Sequence, residues 1–96
     1  MTLEELRSTR REEILRLAAK RGARNVRVFG SVARGDSDER SDIDFLVEME
    51  PGRTLFDLSG LLLDLQSLLE VRVDVVTERG LRPRVRDRAL AEAVSL

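Results

Sequence analysis

Between Ile43 and Thr77 the sequence reads as strand, helix, strand, and no other run constrains the fold as tightly. Ile43 to Met49, IDFLVEM, has the composition of a buried strand and stops at the turn residues Pro51 and Gly52. Thr54 to Leu69 follows as a helix, with an apolar stripe of Leu55, Leu58, Leu62, Leu65 and Leu69 that Leu61 and Leu68 widen. Thr54 and Asp57 have the spacing to cap its start. Val71 to Thr77, VRVDVVT, is mostly β-branched and reads as a second strand. Two strands joined by a helical crossover favour parallel pairing. The run therefore commits the chain to an α/β arrangement with helices laid on a sheet.

The flanking segments fit around that unit. Thr2 to about Arg21 reads as a helix with Leu3, Leu6, Ile14 and Leu17 near one face, Thr2 and Glu5 spaced as a capping box, and Gly22 as its stop. Asn25 to Phe29 is a short strand in which Val26 and Val28 alternate with Arg27. Residues 31–41, SVARGDSDERS, lack apolar periodicity and read as a loop, with room for one helical turn at Ser31–Arg34. Pro83 suits the first turn of a last helix, on which Val85, Ala89, Ala93 and Leu96 share a face. The expected order is α-β-β-α-β-α, a short mixed sheet flanked by helices. At 96 residues it makes one domain, residues 1–96.

Composition narrows the chemistry. Seventeen basic residues against eighteen acidic ones leave a net charge of −1, which argues against a protein that binds nucleic acid by bulk electrostatics. The absence of Cys and His excludes thiol and imidazole catalysis, disulfides, zinc–thiolate sites and iron–sulfur clusters. Carboxylates, arginines, hydroxyls and hard cations that prefer oxygen remain. No apolar run approaches the ~20 residues of a membrane span. The charged start MTLEELRSTRREE holds no signal-peptide core. A cytoplasmic protein is expected.

Residues 28–47, VFGSVARGDSDERSDIDFLV, concentrate the candidate chemistry. A strand ends at Gly30-Ser31, and ten residues later Asp42 and Asp44 open the next strand. Residues two apart in a strand point the same way, so both carboxylates face one side at the mouth of the sheet. Asp74, inside VRVDVVT, joins them if its strand pairs alongside. Carboxylates gathered without Lys or His raise one another's pKa until a proton or cation intervenes, and Mg²⁺ is the natural counter-charge. Gly30 permits close backbone approach to a phosphate. Ser31 offers a hydroxyl and the free N–H groups of a helical turn, and Arg34 adds a cation. Carboxylates with Mg²⁺ beside a Gly-Ser phosphate cradle point to nucleoside-triphosphate chemistry.

Each feature also has a purely structural reading. Gly30-Ser31 suits an ordinary turn, and Asp42 and Asp44 suit a loop carboxylate and a solvated strand end. Asp74, flanked by Val73, Val75 and Val76, would need a partner if buried, such as Arg72 or Arg27. Arg34 can pair with Asp36 or Asp42 rather than with phosphate. The arginines Arg79, Arg82, Arg84, Arg86 and Arg88 could touch RNA or an acidic partner but read best as a solvated helix face beside Asp87 and Glu92.

Taken in order, Gly30-Ser31, Asp42-Ile43-Asp44 and an aspartate on a later strand resemble the polymerase-beta-like nucleotidyltransferase superfamily. The run FGSVARGD…SDIDFLV, the Leu-rich helix, VDVVT and a short helix after Leu-Arg-Pro look like the minimal nucleotidyltransferase (MNT) family. That likeness covers nearly the whole chain. It implies an antitoxin of a HEPN/MNT, type VII-like toxin–antitoxin pair. Such an enzyme carries AMP from ATP to a tyrosine of a HEPN ribonuclease toxin and silences it. By motif matching, Asp42 and Asp44 would bind two Mg²⁺ ions. Asp74 would bind the catalytic one and help deprotonate the attacking hydroxyl, Gly30 and Ser31 would hold the triphosphate, and Arg34 would support it. A hetero-oligomer with the toxin or a homo-oligomer is compatible with this likeness. A second reading is a non-catalytic antitoxin that masks the toxin around a vestigial or regulatory nucleotide site. A third, a small-molecule nucleotidyltransferase, usually requires an acceptor domain for which 96 residues leave no room.

Overall fold

The computed structural model describes residues 1–38 and 41–96. In chain order it contains α1 (Leu3–Glu5), a π-helical stretch (Leu6–Arg10), α2 (Arg11–Lys20), β1 (Ala23–Phe29), α3 (Gly30–Arg34) and β2 (Ile43–Met49). There follow α4 (Leu55–Leu69), β3 (Val73–Val76), a 3-10 turn (Glu78–Gly80), α5 (Pro83–Glu92) and β4 (Val94–Ser95). The sheet order is β3-β2-β1-β4, with β2 and β3 parallel and the other pairs antiparallel. The crossover through α4 thus pairs its two strands as expected. Thr54 and Asp57 cap α4: the Phe56 N–H donates to Thr54 Oγ1 at 3.2 Å and the Thr54 N–H to Asp57 Oδ2 at 3.0 Å.

The sheet is two-faced. Val26, Val28, Ile43, Phe45, Val47, Val73 and Val75 project to one side and meet Leu6, Ile14 and Ala18 from the first helical segment and Leu61, Leu65 and Leu69 from α4. By strand alternation, Arg27, Phe29, Asp44, Leu46 and Asp74 project to the other. There Leu46 is fully buried yet outside that cluster, and α5 packs against β1 and α3.

Five details differ from the sequence expectation. First, the N-terminal helix is not regular. An α-helix turns about 100° per residue, so eight residues would leave Leu6 and Ile14 about 80° apart. The wider π-helical turn absorbs one residue and aligns them, and both are fully buried. Second, Leu55 is 77% exposed, whereas Leu61, Leu65 and Leu69 are buried in the core and Leu58, Leu62 and Leu68 pack against it partly buried. Third, α5 ends at Glu92. Val94 and Ser95 leave the helix to pair with Val28 and Arg27. The Leu96 N–H donates to the Val26 carbonyl at 3.1 Å, and its side chain is only 7% exposed. The Arg7 guanidinium donates to the Ser95 carbonyl. This short strand covers the outer edge of β1, whose backbone groups would otherwise stand open.

Fourth, the strand expected over Val71–Thr77 spans only Val73–Val76. Fifth, Asp74 is exposed while Val73 and Val75 on either side are buried. Its strand is buried on one side only, so Asp74 needs no interior partner. The single helical turn at the start of the 31–41 loop is present as α3. Glu39 and Arg40 of that loop lie outside the described residues. Among the described residues no helix is long and apolar enough to cross a membrane.

Candidate active site

The candidate chemistry lies on the sheet face opposite the core. Phe29, near the end of β1, stands opposite Asp44, and Asp44 stands opposite Asp74 on β3. The three form one row across three strands. Asp42 comes just before β2, where the Ile43 N–H donates to the Arg72 carbonyl at 3.0 Å and extends the parallel ladder.

Gly30 turns the chain from β1 into α3 with φ +75°, a region that favours glycine. A Cβ on Gly30 would run into Oδ2 of Asp44. Glycine is thus required by the turn and also by the carboxylate beside it. The first N–H groups of a helical turn lack partners within it, and Ser31 adds its hydroxyl there.

These residues line a cleft of about 470 Å³. Gly30, Ser31 and Arg34 come from the turn, and Ser41, Asp42 and Asp44 from the approach to β2. Val85, Arg88, Ala89 and Glu92 line it from α5. The structure therefore brings together five of the six expected site residues. Asp74 sits beside Asp44 in register but outside the cleft lining. A recess of about 700 Å³ at the far end of β2, lined in part by Met49, Thr54 and Leu58, contains none of them.

Burial pushes the Asp44 carboxyl up to about 6, and the neighbouring charges of Asp74 and Asp42 push the same way; Arg34 opposes them. Asp42 is half-exposed and lies 3.8 Å from the Arg72 guanidinium. Arg27 lies 3.5 Å from Glu78. These two arginines, considered above as partners for Asp74, are therefore engaged elsewhere. Arg34 meets Asp36 at 3.1 Å, as its structural reading allowed, and Glu92 at 3.0 Å in place of Asp42.

Among the described residues no three carboxylates close on one point at metal-binding range. Two of them, Asp42 and Asp44, share the cleft with Ser31. That donor set fits Mg²⁺, which is held by one or two carboxylates and completes its shell with water and phosphate oxygens.

The α5 wall escaped the sequence reading. Val85, Arg88, Ala89 and Glu92 recur at helical spacing on one face, which was a usable signal. The mixture of apolar and charged types along an Arg-rich stretch instead suggested a solvated surface. The Arg34–Glu92 pair joins residues 58 apart in the chain, and no local pattern announces it.

Comparison with known proteins places the chain in a family. Residues 10–96 match the model of the nucleotidyltransferase domain family. A candidate protein adenylyltransferase of Methanocaldococcus jannaschii is 40% identical over 86 residues, which are 90% of this chain and 92% of the relative. The protein adenylyltransferase MntA of Thermococcus cleftensis is 36% identical over 94 residues, 98% of this chain and 95% of its own. Among solved structures, a candidate minimal nucleotidyltransferase superposes with a TM-score of 0.86 at 58% identity, over 100% of this chain and 97% of the other. A toxin–antitoxin complex crystallised with AMP-PNP shares the fold, with a TM-score of 0.76 at 22% identity over 90% of this chain and 71% of the other. The chain belongs to the nucleotidyltransferase domain family and is a transferase of its minimal kind.

Proposed function

We propose that this transferase moves AMP from ATP onto a hydroxyl of a partner protein, a tyrosine of a HEPN ribonuclease toxin, and thereby serves as that toxin's antitoxin. The observation that carries the reading is the meeting of Gly30, Ser31, Asp42 and Asp44 in one cleft, with Asp74 in register beside Asp44. The cleft volume falls within the ~300–1,000 Å³ of small-molecule sites. Relatives named protein adenylyltransferases support AMP transfer to protein. Fold neighbours that are toxin–antitoxin complexes, one of them with AMP-PNP, support the kind of partner and the nucleotide.

In this reading Asp42 and Asp44 would hold Mg²⁺, and Asp74, in register beside Asp44 but outside the cleft lining, would face the attacking hydroxyl. Bound there, the metal neutralises phosphate charge and sharpens an oxygen nucleophile. Gly30 lets the backbone approach the triphosphate, Ser31 donates to it, and Arg34 supports the turn they stand on. The incoming hydroxyl oxygen forms a bond to the α-phosphorus as the bond to the β-phosphate bridging oxygen breaks. Pyrophosphate leaves, and the hydroxyl proton passes to the Asp74 carboxylate. These residues thereby orient the reacting groups in line, the main contribution open to a protein in phosphoryl chemistry.

The test mixes the chain with its toxin, MgATP and isotopically labelled AMP donor. It reads a mass increase of one AMP on the toxin, on tyrosine. Asp74→Asn changes charge with little change in volume. A folded Asp74→Asn protein that still binds toxin should lose transfer and fail to rescue toxin-expressing cells. Full rescue by that variant would overturn the catalytic reading in favour of masking.

A further inference from the structure

Helix α5 carries a guanidinium that the roles above leave unused. Ala89 is buried, which sets the rotation of α5, and Arg88 and Glu92 line the cleft on the same face. The two arginines of the cleft are engaged differently. Arg34 is held by Asp36 at 3.1 Å and by Glu92 at 3.0 Å. Arg88 has no carboxylate within ion-pair range among the described residues.

We propose that Arg88 binds the phosphate chain of the nucleotide and is the α5 contribution to nucleotide recognition. The proposal rests on the transfer reading of the cleft. A triphosphate brings several negative charges into a space already lined by Asp42, Asp44 and Glu92. A cation there can replace water on phosphate oxygens only if its donors are not already spent. Arg34 has two carboxylates on its guanidinium, whereas Arg88 has its planar fork available for charge-assisted bonds to phosphate. Position points the same way. The Arg34–Glu92 pair ties α3 to α5, and Arg88 lies one helical turn before Glu92. That places the Arg88–Glu92 face across the cleft from the Gly30–Ser31 turn, on the side assigned to the phosphates. Arg88 is also exposed, so its replacement leaves the core untouched.

The test is calorimetric titration of the full chain with MgATP and, separately, with AMP. Arg88→Ala should weaken MgATP binding by about tenfold or more, the worth of a charge-assisted contact, and leave AMP binding unchanged. Arg88→Lys should restore part of the loss. Arg86→Ala is the control: Arg86 lies outside the cleft lining, 3.9 Å from Asp87, and its loss should leave both affinities as they are. An unaltered melting temperature establishes that each variant is folded. Unchanged MgATP binding in Arg88→Ala overturns the assignment and leaves the transfer reading standing. An equal loss for MgATP and AMP overturns it too, as does an equal loss in Arg86→Ala. A wild-type chain that binds no ATP overturns the assignment and the transfer reading together.

Discussion

Asp44 and Asp74 are direct register partners across the parallel β2–β3 ladder. Facing pairs in a sheet feel each other strongly, and like charges placed opposite are destabilising. The fold holds these two together because Ile43 and Val73, one residue earlier, and Phe45 and Val75, one residue later, are register partners buried in the core. Apolar packing on one face fixes the register that crowds acids on the other.

The raised Asp44 carboxyl has a consequence for stability. With its value moved from 3.8 to about 6, the folded state binds the proton more tightly than the unfolded state does. Between those values, raising the pH removes a proton from the folded chain that the unfolded chain has already lost, so stability falls as pH rises and then levels off. Melting curves in chelator-containing buffer should show this fall in the wild type. Asp44→Asn should flatten it and melt higher than wild type above about pH 6. Parallel curves for the two proteins would refute the account.

Gly30→Ala combines two penalties. It forces a side chain into φ +75° and drives a Cβ into the Asp44 carboxylate. A loss of about 1–3 kcal/mol is expected from chemical denaturation, together with loss of MgATP binding. Gly35→Ala also meets positive φ, but a Cβ there finds open space. It should lose only about 1 kcal/mol and keep binding.

Divalent metal with ATP should raise the melting temperature of the wild type, because ligands that bind only the folded state stabilise it by mass action. Asp42→Asn and Asp44→Asn should each abolish that rise while their far-ultraviolet circular dichroism stays native. A full thermal shift in either variant would remove that carboxylate from the metal set.

Leu96→Ala tests the fourth strand. Leu96 is 7% exposed and belongs to the core cluster, so its truncation should lose about 2–4 kcal/mol in denaturant titration. Leu55→Ala, on a residue that is 77% exposed, should change stability by less than about 0.5 kcal/mol. Equal effects would mean that the C-terminal residues do not pack as described.

What the sequence made legible was whatever local spacing dictates. The parallel crossover, the Thr54–Asp57 cap and the placing of Asp42 and Asp44 at a strand mouth all follow from residues a few positions apart. What escaped depends on distant partners. Val85, Ala89, Ala93 and Leu96 recur at intervals a helix would tolerate, and only the free edge of β1 recruits Val94 and Ser95 as a strand. The leucine stripe of α4 is wide enough to be rotated several ways, and the sheet selects Leu61, Leu65 and Leu69. Asp74 looked buried because its neighbours are, yet a strand with one covered face hides only alternate residues.

The hold on the α5 wall of the cleft depends on where β4 lies. Its two residues pair with Val28 and Arg27, near the opposite end of the chain. The wall bearing Arg88 and Glu92 is tied to α3 by the Arg34–Glu92 pair, and β4, just after it, holds its end against the edge of β1. A chain in which β4 is undocked is therefore expected to keep the Asp44–Asp74 row while its α5 wall is held from the α3 side alone.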